Sequence, residues 1–311
     1  MINDYVILSA QRTGSSWVMD VLNNIDGSEC HGELFLSEPV VTKPVAGCAD
    51  YDRYVERKHE HASGVRPFSV FSYLDGLYSR DGSVGFRLMY GHLKRYPEIL
   101  LYAKARRLKV IHLFRENLLD QVISGKLGRQ SGRAHDIAGG DRTRDTSVRL
   151  DPEVTVAAII QAERNIRWAD RLVSATRLPS IRVAYETLLT QSEGFGAVTE
   201  FLSLGPWTGE PESVLVKRQR RPHSESIENY EEIGAALDAN GLGRFLQASR
   251  RVLRRCQRAT FGRLSPRPPY AKSQDEGTVG DAIPAWSSRP GSQGSTEVTL
   301  RGWLFARIPS S

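Results

Sequence analysis

Four short apolar runs, each beside a segment of helical spacing, constrain this chain more than any other feature. They are "YVILSA" from Tyr5, "SVGFRLM" around Val84 to Met89, "KVIHLF" from Lys109 to Phe114, and "IRVAYE" from Ile181. A run that is apolar on both alternating faces predicts a strand covered on both sides, the situation of a parallel sheet. After the first run, Val18, Val21, Leu22 and Ile25 fall at i, i+3, i+4 and i+7, one face of a helix. After the second, "HLKRYPEILLYAKARRL" predicts a helix with Pro97 near a first turn. After the third, "RENLLDQVISGKLGRQSG" predicts another, weakened in its latter half by Gly125 and Gly128. The longest helical segment, Asp151 to Thr176, opens with Asp151 as N-cap and Pro152 at the first helical position. Two or three more helices carry the chain to Phe261. This alternation predicts an α/β fold: a central parallel sheet flanked by helices.

The remaining segments are read from composition. Ser37 to Asp81 is polar and irregular, predicting short helices and loops. Ala134 to Leu150 is charged and glycine-containing, predicting a mobile surface loop, and the variability of both segments, Ser37 to Asp81 and Ala134 to Leu150, suits an acceptor pocket. From Gly262 the chain is rich in Pro, Gly and Ser, so residues 262–311 are expected to form a disordered tail after a single domain over residues 1–261. No apolar run has the length of a membrane span, and the N-terminus lacks a secretory pattern. The cysteines, Cys30, Cys48 and Cys256, fit no zinc or redox spacing and read as buried reduced thiols, so a cytoplasmic protein is expected. The basic excess behind the net charge of +6 is concentrated late, in "KRQRRPH" (Lys217 to His223) and "RRVLRRCQR" (Arg250 to Arg258), the second of which lies on a predicted helix and reads as a solvated face. The seven histidines show no ligand spacing, so no metal is expected.

The chemistry concentrates in the loop after the first strand, "QRTGSSW". A strand-to-helix turn collects backbone N–H groups and the positive end of the helix dipole at one point. Gly14 permits a tight turn, Arg12 adds a fixed charge, and Thr13, Ser15 and Ser16 add hydroxyls. All favour an anion with many oxygens, a phosphate or a sulfate. The Gly-Lys-Ser/Thr of a nucleotide triphosphate loop is absent, as is a strand ending in a clear metal-holding aspartate. Four further segments accompany this loop. Arg115 follows the third strand, with Ser124 nine residues later on a helix. "CHGELF" holds His31 and Glu33. "VAYETLL" ends a strand in Tyr185 and Glu186. "KRQRRPHSESIENYEEI" places a basic loop before a helix.

In this order the five segments, spread over roughly Asp4 to Phe261, resemble the sulfotransferases that use 3′-phosphoadenosine 5′-phosphosulfate (PAPS). The likeness is to the bacterial carbohydrate branch that includes the nodulation-factor and trehalose enzymes. The resemblance implies a P-loop-like sulfotransferase fold and transfer of a sulfuryl group to a hydroxyl of a carbohydrate, glycolipid or natural product, with 3′,5′-adenosine bisphosphate as product. It implies that Arg12, Thr13, Gly14, Ser15, Ser16 and Trp17 form the 5′-phosphosulfate stretch, with Arg12 also stabilising charge on the bridging oxygen. It implies that Arg115 and Ser124 hold the 3′-phosphate, that Lys217 and Arg218 close over the donor, and that Glu33 takes the acceptor proton, with His31 as rival base. The chain departs from the cytosolic branch in having arginine for lysine at position 12 and one extra residue between Arg115 and Ser124. An arginine cannot shuttle a proton to the leaving group. Other roles stand beside these: Arg115 paired with Glu116 or Asp120, Glu33 paired with an arginine, Tyr185 and Glu186 supporting the core. Two other functions also stand: a nucleotide-dependent phosphotransferase, and a basic module gripping nucleic acid or anionic lipid. The expected partner is a small-molecule or glycan acceptor, and not nucleic acid.

Overall fold

The computed structural model describes residues 3–36, 51–60, 64–131, 136–137, 147–190, 192–207, 213, 215–216 and 222–247. Its strands are β1 (Tyr5–Ser9), β2 (Ser28–His31), β3 (Ser83–Met89), β4 (Lys109–Phe114), β5 (Asp136–Ile137), β6 (Ser180–Ala184) and β7 (Leu215–Val216). Its helices are α1 (Ser15–Asn23), α2 (Tyr54–Arg57), α3 (Phe68–Leu77), α4 (Tyr90–Arg95), α5 (Glu98–Arg106), α6 (Leu118–Ser131), α7 (Pro152–Thr176), α8 (Tyr185–Thr190), α9 (Ser192–Leu202), α10 (His223–Ser226), α11 (Tyr230–Ala239) and α12 (Arg244–Gln247).

The fold is α/β, as expected. A five-stranded sheet runs β2-β3-β1-β4-β6, and every neighbouring pair is parallel. Central β1 aligns Tyr5 with Gly85 on one side and Lys109 on the other. Alternation divides its side chains between two cores. Val6 and Leu8 join Phe86, Leu88 and Val110 against α3, α5 and α7. Tyr5 and Ile7 join Ile111 and Leu113 against α1 and α9. Helices on both faces explain why β1 is buried along its whole length. A third cluster knits α6, α7 and α11 together through Leu119, Ile123, Ile159, Ile233 and Leu237. Because the strands are parallel, the loop after β1, the start of α4 after β3, Arg115 after β4 and α8 after β6 all gather at one edge, outside the strands' carboxyl ends. Ligands bind there in open α/β sheets.

Several local expectations need correction. Edge strand β2, "SECH", has no apolar run and was not foreseen; half of it is solvent-facing. The segment after β3 is two helices, because Pro97 lacks an N–H and disfavours helical geometry at Tyr96, whose φ of −126° and ψ of 65° end α4. Gly125 and Gly128 do not shorten α6, which continues to Ser131. Tyr185 and Glu186 begin α8 rather than ending a strand. Within the segment expected to be irregular, α3 buries Val70, Tyr73, Leu74 and Leu77. The end of the supposed mobile loop is core: Val148 is buried, its N–H donates to the Ser226 carbonyl at 2.9 Å, and its carbonyl accepts from Glu228 at 3.0 Å. Asp151 does cap α7, its Oδ1 accepting from the Val154 N–H at 2.9 Å. Cys30 is a buried thiol. Cys48, Cys256, the Arg250–Arg258 run and the tail lie outside the described residues. Among the described residues no helix is long and apolar enough to cross a membrane.

Candidate active site

The loop between β1 and α1 is tight. Arg12 has a φ of 62° and Gly14 one of 84°, both left-handed. A side chain at Gly14 is doubly excluded, since its Cβ would fall within the Tyr185 ring. Gly14 is the N-cap of α1 and offers no side-chain acceptor, so the first-turn N–H groups face outward at the positive end of the helix. Thr13 is buried and turned inward, its hydroxyl donating to the Ala10 carbonyl at 2.9 Å. Ser15 and Ser16 are buried. Trp17 packs edge-on against Tyr185 and Phe195, with ring centroids 5.7 and 5.4 Å away. Its indole therefore braces the loop from behind.

The neighbouring strand β3 contributes a residue that the sequence reading did not single out. Arg87 is buried, and its guanidinium donates both to the Ser16 hydroxyl and to the Glu33 carboxylate. Its Nε is a buried donor with no acceptor among the described residues. The signal lay in the sequence as a lone charge inside the apolar run "SVGFRLM", a placement that burial alone disfavours. Glu33 sits just beyond β2 and is part-exposed. The imidazole beside it is that of His92 on α4, at 3.9 Å, with a buried Nδ1 that has no partner among the described residues. Burial pushes the His92 pKa below its ordinary value near 6.5; Glu33 pulls it back up, and Arg87 and Arg95 add to the lowering. His31 is fully buried and directed to Glu29, 3.4 Å away, with its ring against Tyr51.

The second predicted grip is also anchored to the first loop. Arg115 is buried; its Nη1 donates to the Arg12 carbonyl at 3.2 Å and its Nη2 to Asp120 Oδ2 at 3.2 Å. Its Nε lies 3.5 Å from Glu186, and its guanidinium sits 5.2 Å from the Tyr185 ring centre. Asp120 is held from the other side by His223, whose Nε2 lies 2.7 Å from Oδ1. Glu186 in turn accepts from the Glu116 N–H at 2.9 Å. The pairing of Arg115 with Asp120 and the supporting role of Tyr185 and Glu186 are thus both present. Ser124 is half-buried on α6. One turn further along that face is Gly128, and the Arg12 guanidinium occupies the space where a Gly128 Cβ would be. Arg12 thereby reaches from the loop to the face of α6 that carries Ser124. Gln121 of α6 also donates to the Gln11 carbonyl at 2.6 Å.

Lys217 and Arg218 lie outside the described residues. The chain just before them forms β7, paired antiparallel with β5, and Ser213 donates to Asp20 of α1 at 2.6 Å. The fold therefore brings Arg12, Ser15, Ser16, Glu33 and the anchored Arg115 to one edge, with Ser124 on the helix beside them. His92 stands beside Glu33, and His31 beside Glu29.

No family model matches the chain, and no curated protein matches it. Among solved structures, it is similar to a sulfotransferase domain from the curacin biosynthetic pathway at 17% identity and a TM-score of 0.36, covering 73% of this chain and 83% of that one. It is also similar to mouse sulfotransferase SULT7A1 complexed with PAP at 12% identity and a TM-score of 0.38, covering 83% of this chain and 88% of that one.

Proposed function

We propose that the chain transfers a sulfuryl group from PAPS to a hydroxyl of a small-molecule or glycan acceptor. The single observation that carries this reading is Arg87, a buried guanidinium tying Ser16 of the anion-binding turn to the carboxylate of Glu33. It puts a proton acceptor at the mouth of a site built for a polyanion. The residues fit the donor: the α1 N-terminus offers N–H groups, and Arg87 Nε is a buried donor with no acceptor among the described residues.

PAPS supplies the sulfuryl group on a leaving nucleotide. The N–H groups of the first turn of α1 and the Ser15 and Ser16 hydroxyls hold the 5′ end. Arg12, extended toward α6, neutralises charge between that end and Ser124. Arg115 keeps the turn in shape through the Arg12 carbonyl, and Lys217 and Arg218 close from the late loop. Glu33 accepts the acceptor's proton as the new oxygen–sulfur bond forms and the old one breaks, its electron pair leaving with the bisphosphate. Arg87 keeps Glu33 aimed. Positioning and electrostatics dominate such an in-line transfer, as they do for phosphoryl groups. A positioned base contributes on the order of 10²–10⁴-fold.

The test is a sulfate-transfer screen over hydroxylated acceptors with Glu33→Gln as control, beside thermal shifts with 3′,5′-adenosine bisphosphate and with ATP and magnesium. Transfer lost in Glu33→Gln, with the bisphosphate shift retained, is the expected result. Stabilisation by ATP and magnesium alone would instead favour a phosphotransferase, and full turnover in Glu33→Gln would move the base to His92.

A further inference from the structure

The surface holds a groove of about 620 Å³, within the range of about 300–1,000 Å³ that takes a small organic molecule. Arg53, Lys58, Arg66 and Arg95 line it, against one carboxylate, Glu56, among the described lining residues. Arg53 pairs with Glu56, and Arg66 Nη2 donates to Glu98 at 2.7 Å. Lys58 and Arg95, both exposed, pair with no carboxylate among the described residues. The Arg66 and Arg95 guanidiniums lie 4.5 and 5.8 Å from the centre of one ring, that of Tyr96. Arg66 also donates to the Arg95 carbonyl at 2.7 Å. Two cations are thus gathered at one aromatic ring, with only part of their charge answered by the protein.

The groove shares packing with the segment that carries Glu33. Its walls include Tyr54 and Tyr96, whose rings pack on Phe35 at centroid distances of 5.5 and 5.2 Å, two residues from Glu33. The Tyr54 N–H donates to the Leu34 carbonyl at 2.9 Å. Helix α4 carries His92 beside Glu33 and ends at Arg95 in the groove. A ligand lying along the groove is therefore held by elements that also hold the proton acceptor.

We propose that this groove is the acceptor subsite and that it selects a hydroxylated acceptor bearing an oxyanion, a carboxylate or sulfate on a sugar-sized body. This rests on the sulfuryl-transfer reading. Lys58 and Arg95 provide the unanswered charge, and Arg66 and the edge of Tyr96 provide a flat wall for the body of the ligand. Charge-assisted hydrogen bonds supply the discrimination against neutral analogues.

The test follows the Nε–H resonances of Arg66 and Arg95 in the full chain, assigned with Arg66→Lys and Arg95→Lys, in buffer of matched ionic strength. Glucuronate, glucose 6-sulfate and glucose are titrated with 3′,5′-adenosine bisphosphate present. Saturable shifts with either anion, and affinity for glucose roughly tenfold weaker or absent, are expected, the order that a hydrogen bond to a charged group gives. The two anion arms tell a carboxylate site from a sulfate site. In the doubly substituted Lys58→Ala/Arg95→Ala chain, whose melting curve checks the fold, the preference is lost. An equal response to glucose, no saturable response to either anion, or a preference that survives the double substitution overturns the assignment. A thermal shift with the bisphosphate alone separates the two levels. No shift overturns the sulfuryl-transfer reading and the acceptor role with it, even where glucuronate binds. A clear shift without any anion response overturns the groove alone.

Discussion

Arg87 and Gly14 each meet two requirements at once. Arg87 lies in a strand where burial disfavours charge, and it stays because Ser16 and Glu33 answer it. Replacing it with methionine leaves Glu33 without its partner and Ser16 without that donor. Sulfuryl transfer in Arg87→Met is expected to fall by about 10²-fold or more, the scale of losing one preorganised donor, measured as kcat with saturating donor. Arg87→Lys retains charge but not the two-armed reach, and is expected to recover only part of the rate. Gly14 is constrained by its φ of 84° and by the Tyr185 ring. Gly14→Ala is expected to cost about 1–3 kcal/mol from backbone strain, with the ring contact adding to it, read from urea unfolding.

Elements act here by what they tie together. Helices α6 and α10 reach the turn before α1 through a buried path: His223 to Asp120, Asp120 to Arg115, and Arg115 to the Arg12 carbonyl. His223 opens α10, so that helix and the turn share a support. His223→Ala leaves Asp120 with one buried partner fewer and loosens Arg115. The KM for the donor is expected to rise by about tenfold, the order of one buried hydrogen bond to a charged group, with a smaller change in kcat, since neither residue touches the reacting atoms. A change in stability with no change in this KM would make the path purely structural.

At the scale of the whole molecule, burial disfavours charge on His92 and on His112. His112, on β4, is held by Tyr90 at 2.7 Å and Asp170 at 2.8 Å, and burial keeps its pKa below the ordinary value despite Asp170, with Arg182 opposing as well. His92 is lowered in the same way, by burial first. A group whose folded pKa is depressed is protonated first in the unfolded chain. Stability is therefore full above the ordinary value near 6.5 and declines as the pH falls from there through the folded values. Asp4, raised by burial, works in the opposite sense at lower pH. Unfolding free energy by urea is expected to be lower at pH 5.5 than at pH 7.5, and His112→Asn is expected to flatten that difference.

Some of this was legible in the residues themselves. "YVILSA", "KVIHLF" and "IRVAYE" specify strands because a run apolar on both faces has few other stable homes, and Asp151-Pro152 specifies a helix start because capping is local. The anion-binding turn was legible because hydroxyls, a glycine and an arginine stand next to one another in the chain. Edge strand β2 was not, since its pairing with β3 comes from the partner strand rather than from its own polar residues. Nor was the choice of His92 over His31 beside Glu33, or the joining of Arg87 to Ser16, residues 71 positions apart. The sequence by itself determined which segments become strands and helices and where an anion can be received. Only the tertiary structure decided which charges meet, because strand order and helix packing set those distances, and neither is written in any local stretch of chain.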